Sequence, residues 1–316
     1  MGVCGGNAFP QTWPEPDSMT APVIDAHTHF FPESLHQDPA SWAALNSEPH
    51  WSQLVAPNGK PSLQGWASEQ TMLQDMDTAG VEKAVLAGWY WEQAETCRWH
   101  NEVYASLLEK HPDRFMALAS CQPTAGPESV IKDLEFARKA GFSGVGELLP
   151  QLQGFDYEDE GFRACLDFCR EHGWPILLHV TEPVGRPHSG RIDTPLQPLV
   201  DFLGCHSDIS FILAHWGGLL PFFELNSVVS SKLAHVYYDT AASPLLYDSA
   251  VFALVDKTIG PNRVLYGSDY PLRIFPGKSP QPEFLNFLKQ IQGSGLDEST
   301  LTAILGGNAA KLFGSK

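Results

Sequence analysis

The chain has 316 residues, with 20 Lys and Arg against 37 Asp and Glu, a formal net charge of −17. Hydrophobic residues make up 43% and charged residues only 18%, which excludes a disordered acidic chain. The acidity also argues against nucleic acid and anionic membranes as partners, because both require clustered Lys and Arg. The length accommodates either two domains or one large α/β barrel with insertions.

Residues 1–21 are rich in Pro and Gly and carry neither a basic n-region nor an apolar h-region, so they read as an arm rather than a secretory signal. No apolar run approaches the ~20 residues of a membrane span. The six cysteines form no CxxC pair, and Cys165 and Cys169, four apart on an expected helix, read as small core residues. A cytoplasmic setting follows by default.

Eight short apolar runs punctuate the chain: 23–29, 83–88, 115–121, 144–149, 175–180, 209–215, 235–241 and 263–269. Each is bounded by Gly, Pro or polar turns, as expected of strands buried on both faces of a parallel sheet. Helical patterns lie between them. Residues 68–79 begin at a capping Ser and stop at Gly80; 127–140 open on Pro127 and stop at Gly141; 94–110, 159–172, 194–204, 219–231, 247–258 and 281–292 follow the same period. Eight strand–helix units predict a distorted (β/α)8 TIM barrel over 22–316. A doubly wound sheet is the alternative, but no GxGxxG follows the first strand. Residues 30–66, with Trp42, Trp51 and Trp66, form a lid-like insertion after strand 1, and 297–313 read as two short helices split by Gly306-Gly307.

In a barrel, chemistry sits at the C-terminal ends of the strands. The first run ends His27-Thr28-His29, the fourth carries Glu147, the fifth and sixth end at His179 and His215, and the eighth ends at Asp269. Residues two apart on a strand share a face, so His27 and His29 point together. A lone His at a strand end is usually structural, but agreement among five strand ends points to metal. Three imidazoles and a carboxylate suit Zn2+ first, and also accept Mn2+, Fe2+ or Co2+. An open coordination position would admit water.

The segments DAHTHF (25–30), LLHVTEP (177–183), LAHWGG (213–218), YGSDYPL (266–272) and GNAAKLFG (307–314) resemble the amidohydrolase superfamily. Among its branches the chain is most similar to the amidohydrolase-related group that includes the aminocarboxymuconate-semialdehyde decarboxylase-like enzymes. The resemblance implies that His27, His29, His179 and Asp269 are metal ligands, with Asp269 also the general base. It makes His215 an orienting group or a ligand of a second metal, and leaves one or two ions open. Glu147 departs from the decarboxylase-like pattern; it is open between a ligand and an outer orienting role, and its presence favours hydrolysis.

Arg186, His188 and Arg191, on the loop after the fifth strand, and Arg273, just past Asp269, are candidate anion-binding groups. Singly, each reads as a solvated loop charge. Trp89, Trp91 and Trp216 are candidates for an aromatic pocket wall, with core packing the competing reading. The leading expectation is a metal-dependent hydrolase of an ester, lactone or amide in a small cyclic or aromatic substrate that can be anionic. The alternative is non-oxidative decarboxylation of a carboxylated aromatic or muconate-like compound. A TatD-like nuclease conflicts with the charge balance. A phosphotriesterase-like site needs a Lys on the fourth strand, which Lys139 precedes. A binding module without activity conflicts with the intact set. The partner is a small molecule; a homo-oligomer is compatible with this reading.

Overall fold

A computed structural model describes residues 22–57, 62–188 and 190–314. The arm at 1–21 therefore lies outside the described residues. The chain opens with β1 (Ile24–Thr28), then α1 (Pro39–Leu45), α2 (Pro49–Val55) and α3 (Glu69–Ala79). It continues β2 (Lys83–Leu86), α4 (Ala94–Lys110), β3 (Phe115–Ala117), α5 (Pro127–Lys139), β4 (Val145–Leu148), α6 (Pro150–Gln153), α7 (Glu160–His172) and β5 (Ile176–Leu178). Next come α8 (Leu196–Cys205), β6 (Phe211–Leu213), α9 (Leu220–Phe223), α10 (Ser227–Leu233), β7 (Val236–Asp239), α11 (Ser243–Leu246), α12 (Ala250–Ile259) and β8 (Val264–Leu265). The chain finishes with α13 (Leu285–Gln292), α14 (Glu298–Thr302) and α15 (Asn308–Gly314).

All strand pairings are parallel, in the order β1-β2-β3 and β4-β5-β6-β7-β8. Two bridges join these arcs into a closed (β/α)8 barrel. Ala119 pairs with Val145 between β3 and β4, and Thr28 pairs with Tyr270 between β1 and the segment after β8. Ala26 N donates to Tyr266 O at 2.7 Å and His29 N to Tyr270 O at 2.6 Å, sealing the same seam. Small and branched side chains from the strands, among them Ala26, Val85, Leu177, Ile212 and Leu265, form one buried cluster with Phe313 of α15.

Helix boundaries follow local chemistry. Ser68 accepts from Thr71 N to start α3, and Gly80, in the left-handed region at φ 74°, ends it. Asp159 caps α7 through Gly161 N and Phe162 N. The expected helix over 219–231 is two helices instead. Pro221 sits in the first turn of α9, and Asn226 starts α10 afresh by accepting from Val228 N. The expected break at Gly306-Gly307 is absent: a π turn, Ala303–Gly307, carries α14 into α15. Gly306 presses on Pro22 O, where any Cβ would collide, so the missing side chain serves contact rather than chain breaking.

The insertion is more ordered than a loop. Its two helices each open on a proline, and Asp38 Oδ1 accepts from Ser41 N at 3.0 Å to cap the first. Trp51 packs on Phe31 at 5.4 Å, on Trp42 at 5.1 Å and on Trp91 at 5.6 Å between ring centroids. A separate buried cluster results, containing Phe31, Leu35, Trp51, Val55, Trp89, Tyr90 and Trp91, on the side of the barrel where the strands end.

Candidate metal centre

His27 is the fourth residue of β1, and His29 follows its end. The β1–β2 register slips between Asp25 and Thr28, where Asp25 Oδ1 accepts from His27 N. Glu147 lies within β4, and His179 follows β5. His215 and Asp269 both have left-handed backbones, φ 57° and 67°. Such backbones cost of order 1–3 kcal/mol at a residue other than Gly and persist where surroundings enforce them. Here Asp239 Oδ1 holds His215 N at 2.9 Å, and His27 O holds Asp269 N at 2.9 Å.

The donor atoms converge in two groups, His27 with His29 and Asp269, and Glu147 with His179 and His215. Glu147 adjoins both. Its Oε2 lies 3.8 Å from Nε2 of His27 and of His29, while its Oε1 lies 2.7 Å from His179 Nδ1 and 3.9 Å from His215 Nε2. Side-chain exposure is 19% for His179, 13% for Asp269 and 10% for His215, against 0% for His27 and 2% for Glu147. The opening to solvent is therefore on the His179–Asp269–His215 side.

Hydrogen bonding fixes the tautomers. His29 Nδ1 faces Ala87 O at 3.0 Å and His215 Nδ1 faces Ala241 O at 3.0 Å. A carbonyl only accepts, so each Nδ1 carries a proton, and in the neutral ring Nε2 is the lone pair turned to the centre. His27 Nδ1 donates to Asp239 Oδ2 at 2.8 Å. Its Nε2 then lies 3.1 Å from His29 Nε2. Two lone pairs at that distance repel unless a cation or a proton lies between them. Without a metal the proton supplies this. Burial lowers the His27 imidazole, but Asp239, Glu147 and Asp269 outweigh it and raise the pKa to about 10. Burial raises the carboxyls, yet His179, His27 and His215 hold Glu147 well below the usual carboxylate range, and His29, His27 and His215 lower Asp269. Buried bare nitrogens beside ionised carboxylates fit a divalent cation.

Residues 24–315 match the amidohydrolase family along nearly the whole chain. The chain belongs to that family. This amidohydrolase-family chain is 22% identical to decarboxylase macB of Penicillium terrestre over 92% of its own length and 94% of the relative's. Its fold is similar to that of 5-carboxyvanillate decarboxylase from Sphingomonas paucimobilis, at 16% identity, TM-score 0.69, and 93% and 99% coverage of the two chains. The corresponding enzyme of Novosphingobium aromaticivorans, solved with manganese and 4-hydroxy-3-methoxy-5-nitrobenzoic acid, matches at 16% identity, TM-score 0.66, and 94% and 97% coverage.

These relatives correct the hydrolase expectation. The relative and the solved structures just named are decarboxylases that match almost end to end, which overturns the reading of Glu147 as a sign of hydrolysis. The preference for zinc has no specific support either; what stands is a divalent metal.

The structure also sorts the outer residues of this amidohydrolase-family chain. Trp89 lies 4.9 Å from His29 between centroids, at the site. Trp91 does not follow it to His29, because Trp91 N turns back onto Trp89 O at 2.9 Å and ends the strand alternation. Its Nε1 donates to His100 Nδ1 at 3.0 Å inside the aromatic cluster. Trp216 is likewise core, fully buried on Phe252 with Nε1 donating to Ser243 Oγ. Arg191 is engaged by Glu182 at 2.9 Å and Asp193 at 3.1 Å, which ties the loop after β5 to itself. Arg273 donates to Ser62 O, and its own N donates to Leu63 O, so it pins the insertion to the barrel. Arg186 and His188 are exposed on the loop, His188 within electrostatic reach of His179. Two residues escaped the sequence reading. Asp239 lies inside the seventh run but ends β7 itself, where the strand-end rule points. Tyr90, 5.2 Å from His179 and stacked on Trp89 at 4.5 Å, carried no signal apart from its aromatic neighbours.

Proposed function

We propose that this chain catalyses metal-dependent, non-oxidative decarboxylation of a carboxylated aromatic or muconate-like compound. The observation that carries the reading is the buried convergence of bare histidine nitrogens on Asp269 and Glu147, in a chain whose relatives are decarboxylases. His27, His29, His179 and Asp269 would hold the ion, with Glu147 as a further ligand or as the partner that orients His179. Manganese is the ion bound by one of the solved relatives, and a mixed imidazole and carboxylate set accepts it. When bound, the ion acts as a Lewis acid that neutralises and orients the substrate carboxylate.

The chain's own groups do the rest. Trp89 and Tyr90 bound the opening on one side and favour a flat ring. His215, its Nε2 free, hydrogen-bonds substrate or water at the opening. Asp269, on the partly open face, takes up a proton and delivers it to the ring carbon that bears the carboxylate. The C–C bond then breaks, its electron pair restores the ring, and CO2 leaves; no water is consumed. Arg186 and His188, exposed on the loop after β5, would pair with a second anionic substituent.

The test is release of CO2 from a panel of hydroxylated benzoates and muconate-type acids by manganese-loaded protein, with the des-carboxy product identified. Full metal occupancy without CO2 from any member would overturn the reading.

A further inference from the structure

His50, on α2 of the insertion, is 5% exposed. One hydrogen bond fixes its ring, from Nε2–H to Gly190 O at 2.9 Å. Because a carbonyl only accepts, the proton resides on Nε2 and Nδ1 is an acceptor. That Nδ1 is buried and has no hydrogen-bond partner among the described residues. A buried acceptor left unmade costs stability, and such groups concentrate where a ligand completes them. Burial lowers the pKa of this imidazole, with His179 and His188 adding repulsion, so the ring is neutral at physiological pH. It neighbours the centre through Tyr90: the His50 ring lies 5.9 Å from Tyr90, which lies 5.2 Å from His179.

The geometry points to His50 Nδ1 as the acceptor for a ring hydroxyl of the substrate, which makes the insertion select hydroxylated aromatic carboxylates. This rests on the decarboxylase reading and adds to it a specificity residue outside the metal ligands. A phenolic O–H suits the acceptor because it is a strong donor. An alkoxy group in its place donates nothing and leaves Nδ1 both desolvated and unpaired.

Two substitutions separate the ring's two nitrogens. His50→Gln keeps a donor near Nε2 for Gly190 O and removes the acceptor at the Nδ1 position. His50→Asn keeps a polar acceptor at that position. The readout is tryptophan fluorescence of the manganese-loaded full chain, titrated with benzoate, the three monohydroxybenzoates and their methoxy counterparts. In the wild type and His50→Asn, at least one hydroxybenzoate should bind about tenfold more tightly than its methoxy counterpart. In His50→Gln the ratio should fall below about twofold, with benzoate affinity unchanged. An undiminished preference in His50→Gln, or no hydroxyl preference in the wild type, overturns the role of His50 and leaves the decarboxylase reading intact. Failure of every benzoate to bind, with no CO2 released from any hydroxybenzoate or muconate-type acid, overturns both.

Discussion

Asp239 Oδ2 accepts the Nδ1 proton of His27 at 2.8 Å, and the same carboxylate's Oδ1 accepts from His215 N and Ala241 N. One side chain on β7 thus sets the tautomer of one imidazole and the backbone of another. Asp239→Asn would keep its oxygen on the two backbone N–H groups and turn its NH2 toward His27. The His27 proton would then move to Nε2, on the metal side. We expect manganese affinity to fall by about 10- to 100-fold with the far-UV circular dichroism unchanged. Unaltered affinity by calorimetry would refute the assignment.

Metal loading should release protons. In the metal-free site His27, with its pKa near 10, carries a proton at neutral pH, and an ion must displace it. Affinity should therefore rise with pH, by about tenfold per unit below that pKa if this proton dominates. Manganese titrations at pH 7.5 in buffers of different ionisation enthalpy should give about one proton per ion. A value of zero would show that the site is deprotonated before the ion arrives.

The barrel and the site were legible in the sequence to different depths. The eight strands follow from apolar runs bounded by turn residues, although the hydrogen-bonded parts are short; the last run shrinks to Val264–Leu265. The converging His27, His29, Glu147, His179, His215 and Asp269 follow from one geometric rule about strand ends. Contacts made by loops were hidden, because their partners lie far along the chain. Arg273 meets Ser62 across 211 positions and His50 meets Gly190 across 140. Arg191 was misleading for a local reason: its partner Glu182 lies on the same loop, and its charge is spent there.

Acid should destabilise the metal-free protein partly through His100. Burial pushes this imidazole down to about 3, and its ring accepts from Trp91 Nε1 while Nε2 faces Phe30 O. Its folded pKa is below the unfolded value of about 6.5, so the unfolded chain binds the proton first. The contribution is complete above pH 6.5 and is lost as pH falls toward 3. His100→Gln, which cannot titrate, should flatten the urea midpoint between pH 7.5 and 5 relative to wild type, with chelator present throughout. Parallel pH profiles for the two proteins would contradict this.

Trp51→Ala should cost about 3–5 kcal/mol in urea unfolding, the range of a core aromatic. Trp51 is 1% exposed and touches Phe31, Trp42 and Trp91. A loss below about 1 kcal/mol would mean that the insertion is only loosely applied to the barrel.

The aromatic seam between insertion and barrel bears on how such an enzyme diversifies. Phe31, Trp51 and Trp91 belong to one buried cluster that includes both the insertion and the segment after β2. Exchanging the whole segment for a relative's would therefore carry a folding penalty before any new preference was tested. Single changes at its rim carry no such burden. Redesign of the segment therefore costs the fold less one rim side chain at a time than by wholesale exchange.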